Sequence, residues 1–264
     1  MGIVNATPDS FSGDGRARDT VALAAHAREL AASGAAILDV GGESTRPGAT
    51  PVSEEEELAR LLPALRALAD GSGTTLSVDT MKSRVADLAL QAGASLVNDV
   101  SGLKDEELAS VAARRGAWLV LTHNGHTTRE RGIADADDPV DGVAREITRL
   151  AEIASRAGVS ADRLIADPGL GFGKPARASL ALIARTAELR ERLRPMPLLV
   201  GPSRKSFIGA ALDLPVTERL EGTLASVAIA AFHGAEIIRV HDVRESARVV
   251  RMTAALREAG RARA

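Results

Sequence analysis

Eight short apolar runs in this sequence each end in side chains that can bind or react. The ends are Asn5, Asp39, Asp79, Asn98-Asp99, His123-Asn124, Asp167, Ser203-Arg204-Lys205 and Arg239-Val240-His241. A single Asp after an apolar run is most often a turn or N-cap residue. Eight polar ends converging on one rim are hard to explain as caps, and such a rim is where a small molecule would be bound and processed. Two following segments have a matching profile: 7–15 after the first run and 41–48 after the second. Both are rich in hydroxyls and glycine, with Phe11 and Arg46 at their tips. Loops of this kind offer backbone N–H groups to an anion and can close over it.

Two tempting motifs do not hold. The segment Asp167-Pro168-Gly169-Leu170-Gly171-Phe172-Gly173-Lys174 is not a P-loop. That pattern needs Gly where Pro168 stands, and Ser or Thr where Pro175 follows the lysine. What remains is a carboxylate at a strand end, then a glycine loop carrying an aromatic ring and a cation. His123 and His126 lack a third nitrogen or carboxylate at a fitting spacing, so they do not read as a metal site. Lysine occurs only four times in an arginine-rich chain, and Lys174 and Lys205 both lie in Gly/Ser-rich loops. Those positions call for a compact ammonium rather than a planar fork.

The elements that must position these residues follow from hydrophobic spacing. The apolar runs are 2–4, 36–38, 75–78, 95–97, 117–121, 164–166, 198–200 and 237–240. They lack polar alternation, as expected of parallel strands buried on both faces. Helical spacing follows each of them, over 18–33, 54–69, 82–91, 104–115, 139–157, 176–194, 216–233 and 242–259. Ser53 and Glu56 form a capping box for the second helix. Gly34-Ala35, Gly93-Ala94, Gly116-Ala117 and Gly234-Ala235 stop helices and open the next strand. Eight such units over 264 residues predict one α/β domain, 1–264, folded as a (β/α)8 TIM barrel with its active site at the C-terminal ends of the strands. An open doubly wound sheet is the alternative, but the first strand runs into Asn5-Ala6-Thr7-Pro8 instead of a glycine-rich dinucleotide turn.

Composition removes several function classes. Lys plus Arg is 33 against 35 for Asp plus Glu, a net charge of -2, so there is no basic excess for nucleic acid. The absence of cysteine excludes disulfides, thiolate zinc and a cysteine nucleophile. No apolar run approaches the roughly 18 residues of a membrane span, and there is no secretory signal. A cytoplasmic, soluble enzyme without nucleic-acid or membrane partners is expected. With no Tyr, one Trp and four Phe, the core must be built from Leu, Val, Ile and Ala.

Seven blocks, in order from residue 2 to about residue 250, resemble the dihydropteroate synthase family. They are 5–12, 39–48, 77–80, 97–102, 167–174, 203–209 and 239–243. The resemblance implies a transferase of folate biosynthesis that joins p-aminobenzoate to 6-hydroxymethyl-dihydropterin pyrophosphate. It also implies a dissociative substitution at the pterin methylene, which releases pyrophosphate. By the same resemblance Asp79, Asn98, Asp167, Lys205 and Arg239 hold the pterin, and Asn5, Thr45, Arg239 and His241 hold the pyrophosphate. Thr45, Pro47, Phe172, Lys205 and Ser206 line the aminobenzoate pocket, and Asn5 carries Mg²⁺ through its carbonyl oxygen. Asp79, Asn5, Lys205, Arg239 and His241 are the implied catalytic set. The family is usually a homodimer and a sulfonamide target, and sensitivity is expected here.

This chain departs from the family pattern at Thr122, where a Met usually packs on the pterin, which predicts a looser, wetter pocket. It departs again at Ser12-Gly13-Asp14-Gly15. Two competing functions share the pterin-binding set: a corrinoid methyltransferase, which lacks the pyrophosphate loops, and a binding protein without catalysis. The intact segments 45–47 and 203–206 argue against both.

Overall fold

The computed structural model describes residues 1–6, 20–44, 49–69, 73–132 and 136–261. Among the described residues each strand is followed by one or two α-helices, and the chain forms two compact units, Met1–Leu121 with Leu150–Leu164, and Thr122–Arg149 with Ile165–Ala264.

The first unit contains β1 (Gly2–Asn5), α1 (Thr20–Ala32), β2 (Ile37–Gly41), α2 (Glu54–Ala69), β3 (Thr75–Asp79), α3 (Ser83–Gln91), β4 (Leu96–Asp99), α4 (Glu107–Arg115) and most of β5 (Trp118–Thr122). Its strands are parallel neighbours in sequence order. Val4, Leu38, Val40, Leu76, Val78, Leu96 and Val97 are all buried, which is why the strands read as unbroken apolar runs. On one face, the register aligns Asn5 with Gly41, Gly41 with Asp79, and Asp79 with Asn98. Four strand ends thus form one straight row.

The second unit contains α5 (Gly125–Glu130), the first part of α6 (Pro139–Arg156), β6 (Leu164–Asp167) from its second residue, α7 (Ala176–Ala184), α8 (Thr186–Arg192), β7 (Leu199–Val200), α9 (Ser206–Leu212), α10 (Leu220–Phe232), β8 (Ile237–Ile238) and α11 (Val243–Arg261). A parallel bridge joins Ala166 to Leu198, and β7 pairs with β8 in parallel.

Local chemistry explains the boundaries. Ser53 Oγ accepts from Glu56 N at 3.2 Å, as the capping box predicts. Each Gly-Ala junction closes its helix alike: the glycine is left-handed, and the alanine N–H returns to the carbonyl five residues back. The expected helix over 176–194 is two helices instead. Arg185 leaves helical geometry, and Thr186 Oγ1 turns back onto the carbonyls of Leu182 and Ile183. The helix expected from 216 starts at Leu220, after a 3-10 turn at Val216–Glu218. The short helices α5 and α9 were not legible from spacing, because six or seven residues hold too few turns to show a period.

Candidate active site

In the first unit the site is built from the aligned strand ends. Asp79 and Asn98 are buried neighbours on β3 and β4, and Asn5 is half-buried at the end of β1. Gly41 stands between Asn5 and Asp79 in the row, and a Cβ there would pack against Asp79, 3.4 Å from its Cβ and 3.7 Å from its Oδ2. Behind this row sits Asp39, fully buried on the same face. It accepts from Ser77 Oγ at 2.5 Å and from Asn98 Nδ2 at 2.9 Å. Asp99 belongs to the turn reading instead: its carboxylate accepts from the backbone of Ser101 and Leu103 and from Ser101 Oγ.

The stem of the second loop is tied by charge. Lys82 donates to Glu43 Oε2 at 2.5 Å and to the wholly buried Glu57 at 2.6 Å. Glu43 Oε1 also accepts from Val52 N, so one side chain links the two ends of the loop. Burial works against the Lys82 charge, but the two carboxylates outweigh it and hold its pKa above the ordinary lysine value. Thr45 and Pro47 lie in 45–48, and the first loop in 7–19, outside the described residues.

In the second unit Asp167 ends β6 and is buried. Burial pushes its carboxyl above the usual range, while the Gly169 N–H and the nearby Lys205, Arg239 and Lys174 cations pull it back. A buried carboxylate in that position favours a ligand that donates to it. The glycine loop after it is held tightly. Gly169 has φ +62°, and a Cβ would meet the His123 carbonyl oxygen at 2.1 Å. Lys174 Nζ donates to the carbonyls of His123, Gly169 and Phe172, so this lysine organises the loop from within. Lys205 Nζ donates to Leu170 O at 2.8 Å and sits 4.1 Å from the centroid of the Phe172 ring. Ser206 opens α9 and is exposed. Arg239 is half-buried just past β8, with its backbone N–H on Val200 O. His241 Nδ1 lies 3.0 Å from Ser203 Oγ, and Arg204 makes a forked pair with Asp242.

Asp167, Phe172, Lys205 and Arg239 are thus gathered in one unit, and Asn5, Asp79 and Asn98 in the other. Sequence reasoning singled out Asp39 and Lys174 without their partners, and it missed the supporting residues Lys82 and Glu57. Lys82 and Glu57 left no signal, because charges on helix-forming segments look like any solvated helix face. Thr122 is fully buried, and its Oγ1 makes no hydrogen bond. His123 is held neutral, with burial first and Lys174 second in pushing its pKa down to about 3. His126 is exposed, and no group of three metal-binding His, Asp or Glu occurs among the described residues. A cavity of about 380 Å³ lies elsewhere, against α5, α6 and α7, and none of the implied substrate residues lines it.

Residues 1–241 match the family model for pterin binding enzymes. A dihydropteroate synthase of Clostridium beijerinckii is 42% identical over 96% of this chain and 92% of its own. The chain belongs to the dihydropteroate synthase family. The solved structures agree. The Xanthomonas albilineans dihydropteroate synthase with 4-aminobenzoic acid superimposes with a TM-score of 0.89 at 39% identity, covering 97% of this chain and 92% of that one. The Yersinia pestis dihydropteroate synthase in a sulfonamide drug complex gives 0.90 at 40% identity, covering 98% and 94%. The fold is the α/β barrel of the dihydropteroate synthases. The enzyme condenses 6-hydroxymethyl-7,8-dihydropterin pyrophosphate with p-aminobenzoate, giving 7,8-dihydropteroate and pyrophosphate. Each of these matches is a dihydropteroate synthase, which sets methyl transfer aside.

Proposed function

We propose that the strand-end residues divide the reaction between gripping the pterin and drawing off its diphosphate. Asp79, Asn98 and Asp167 pair with the donors on the amide–guanidine edge of the pterin, Lys205 faces the ring, and Arg239 stacks on it. Asn5, Thr45, Arg239 and His241 hold the pyrophosphate. Thr45, Pro47, Phe172, Lys205 and Ser206 shape the pocket for p-aminobenzoate, whose carboxylate meets Ser206 and the start of the helix behind it. The observation that carries this division is the register row that sets Asp79 beside Asn98, with Asn5 on the same face.

The C–O bond to pyrophosphate breaks ahead of attack. Positive charge then develops on the pterin methylene, and the electron-rich ring delocalises it. Asp79 stabilises that charge, while Arg239 and His241 stabilise the departing anion. The aniline nitrogen of p-aminobenzoate then adds and loses a proton.

The donor set fits Mg²⁺ held largely by substrate oxygens and water. Asn5 offers one amide oxygen, and Mg²⁺ takes few protein ligands when phosphates are present. When bound, the ion neutralises charge on the leaving group. The chain acts as one domain, 1–264, and as a cytoplasmic homodimer. Among the described residues no helix is long and apolar enough to cross a membrane. Sulfonamides should compete with p-aminobenzoate.

A coupled assay of pyrophosphate release tests the reaction. With p-aminobenzoate and Mg²⁺ present, one dihydropteroate should form per pyrophosphate released. Pyrophosphate release with p-aminobenzoate present but no dihydropteroate formed, or undiminished turnover in excess chelator, would contradict it.

A further inference from the structure

Asn98 is fully buried, and its two amide atoms have different surroundings. Nδ2 donates to Asp39 Oδ2 at 2.9 Å, whereas Oδ1 is buried and makes no hydrogen bond. An ionised carboxylate only accepts, so the opposite amide orientation would set two oxygens against each other at that distance. Asp39 is itself held by Ser77 Oγ at 2.5 Å and has no exposed surface. The amide therefore cannot turn to suit a ligand. It offers an acceptor, and an unmatched buried acceptor is costly.

We infer that Asp39 is a positioning residue: by holding the Asn98 amide nitrogen toward itself, it leaves the amide oxygen as the unmatched acceptor and so sets the preference of the site for a heterocycle that donates there. The inference rests on Asn98 facing the pterin. A 2-amino-4-oxo pteridine supplies a donor amino group on that edge. A 2,4-dioxo pteridine carries a carbonyl at the same position and meets oxygen with oxygen.

The test compares 6-hydroxymethylpterin with its 2,4-dioxo analogue by calorimetry on wild type, Asp39→Asn and Ser77→Ala. An amide at position 39 can donate to Asn98 Oδ1, so the Asn98 amide becomes free to reverse. The ratio of the two dissociation constants should fall by about tenfold or more in Asp39→Asn. It should stay near the wild-type value in Ser77→Ala, which keeps the bond from Asn98. A merely structural role would weaken both ligands together and leave the ratio unchanged, and that result overturns the inference. Neutron diffraction on the wild-type protein decides the matter without any variant. Two deuterons should sit on the Asn98 atom nearer Asp39, and oxygen in that place overturns the inference. If wild type bound neither pteridine, the pterin reading of Asn98 would fall, and the inference with it. If wild type bound the pterin and the ratio held in Asp39→Asn, only the inference would fall.

Discussion

On the proposed division of roles, Asp79 meets the positive charge that develops on the pterin methylene, and Arg239 meets the departing anion. Asp79→Ala and Arg239→Ala should each lose most turnover, about 2–4 kcal/mol of barrier for Arg239 as an electrostatic stabiliser. Steady-state kinetics checks this, and near-wild-type turnover in either variant contradicts the role. His123 gives a stability prediction. It stays neutral in the folded chain down to about 3, while an unfolded histidine titrates near 6.5. Between those values the unfolded state binds a proton that the folded state does not. Stability is therefore full above pH 6.5 and falls as pH drops, by up to about 1.4 kcal/mol per pH unit. Denaturation midpoints at pH 7 and pH 5 should lie closer together in His123→Gln than in wild type. Equal spacing in the two proteins would refute the assignment. The strand-end positions of Asp79, Asn98 and Asp167 were legible in the sequence, because a strand end is a local feature. The use of Lys174 was not, because its three carbonyl partners come from two loops that meet only in the fold.

At the scale of elements, the ends of the second loop are fixed to α2 and α3 through Lys82, which begins the turn into α3. Lys82→Met strands Glu57, a buried carboxylate, and should destabilise the protein by about 3–5 kcal/mol. Replacing Glu57 as well, in Lys82→Met/Glu57→Leu, should recover most of that loss. Urea titrations of the three proteins decide it, and a double variant no more stable than the single one would show that the pair is not coupled. The KM for p-aminobenzoate should rise in Lys82→Met, since Thr45 and Pro47 belong to the loop it anchors. The βα rhythm and its Gly-Ala stops were readable because the left-handed stop and the return hydrogen bond lie within one turn. The break at Arg185 was not readable, since Ala, Leu and Arg continue helical spacing across it.

For the molecule as a whole, scarce aromatics give a core of aliphatic side chains. Among the described residues Phe207 is the largest fully enclosed side chain, accompanied by many leucines. The outer helices α10 and α11 leave Ile229, Phe232, Met252 and Leu256 exposed, a cost that burial against a second copy would remove. Sedimentation should show a dimer at micromolar concentration and a shift toward monomer in Phe232→Glu/Leu256→Glu. A monomeric wild type would refute the homodimer. Eight βα units announced the fold, but oligomeric state was not legible, because the same apolar helix face serves a core or an interface.

The central claim is that side chains far apart in sequence hold one and the same heterocycle. Titrating 6-hydroxymethylpterin into wild type, Asp79→Ala and Asp167→Ala tests it most directly. Wild type should bind one pterin per chain, and each variant should lose about 1.5–3 kcal/mol, on the order of 10- to 150-fold in Kd. If either variant bound the pterin as tightly as wild type, that carboxylate would not touch it, and the division of roles drawn from the strand ends would be wrong.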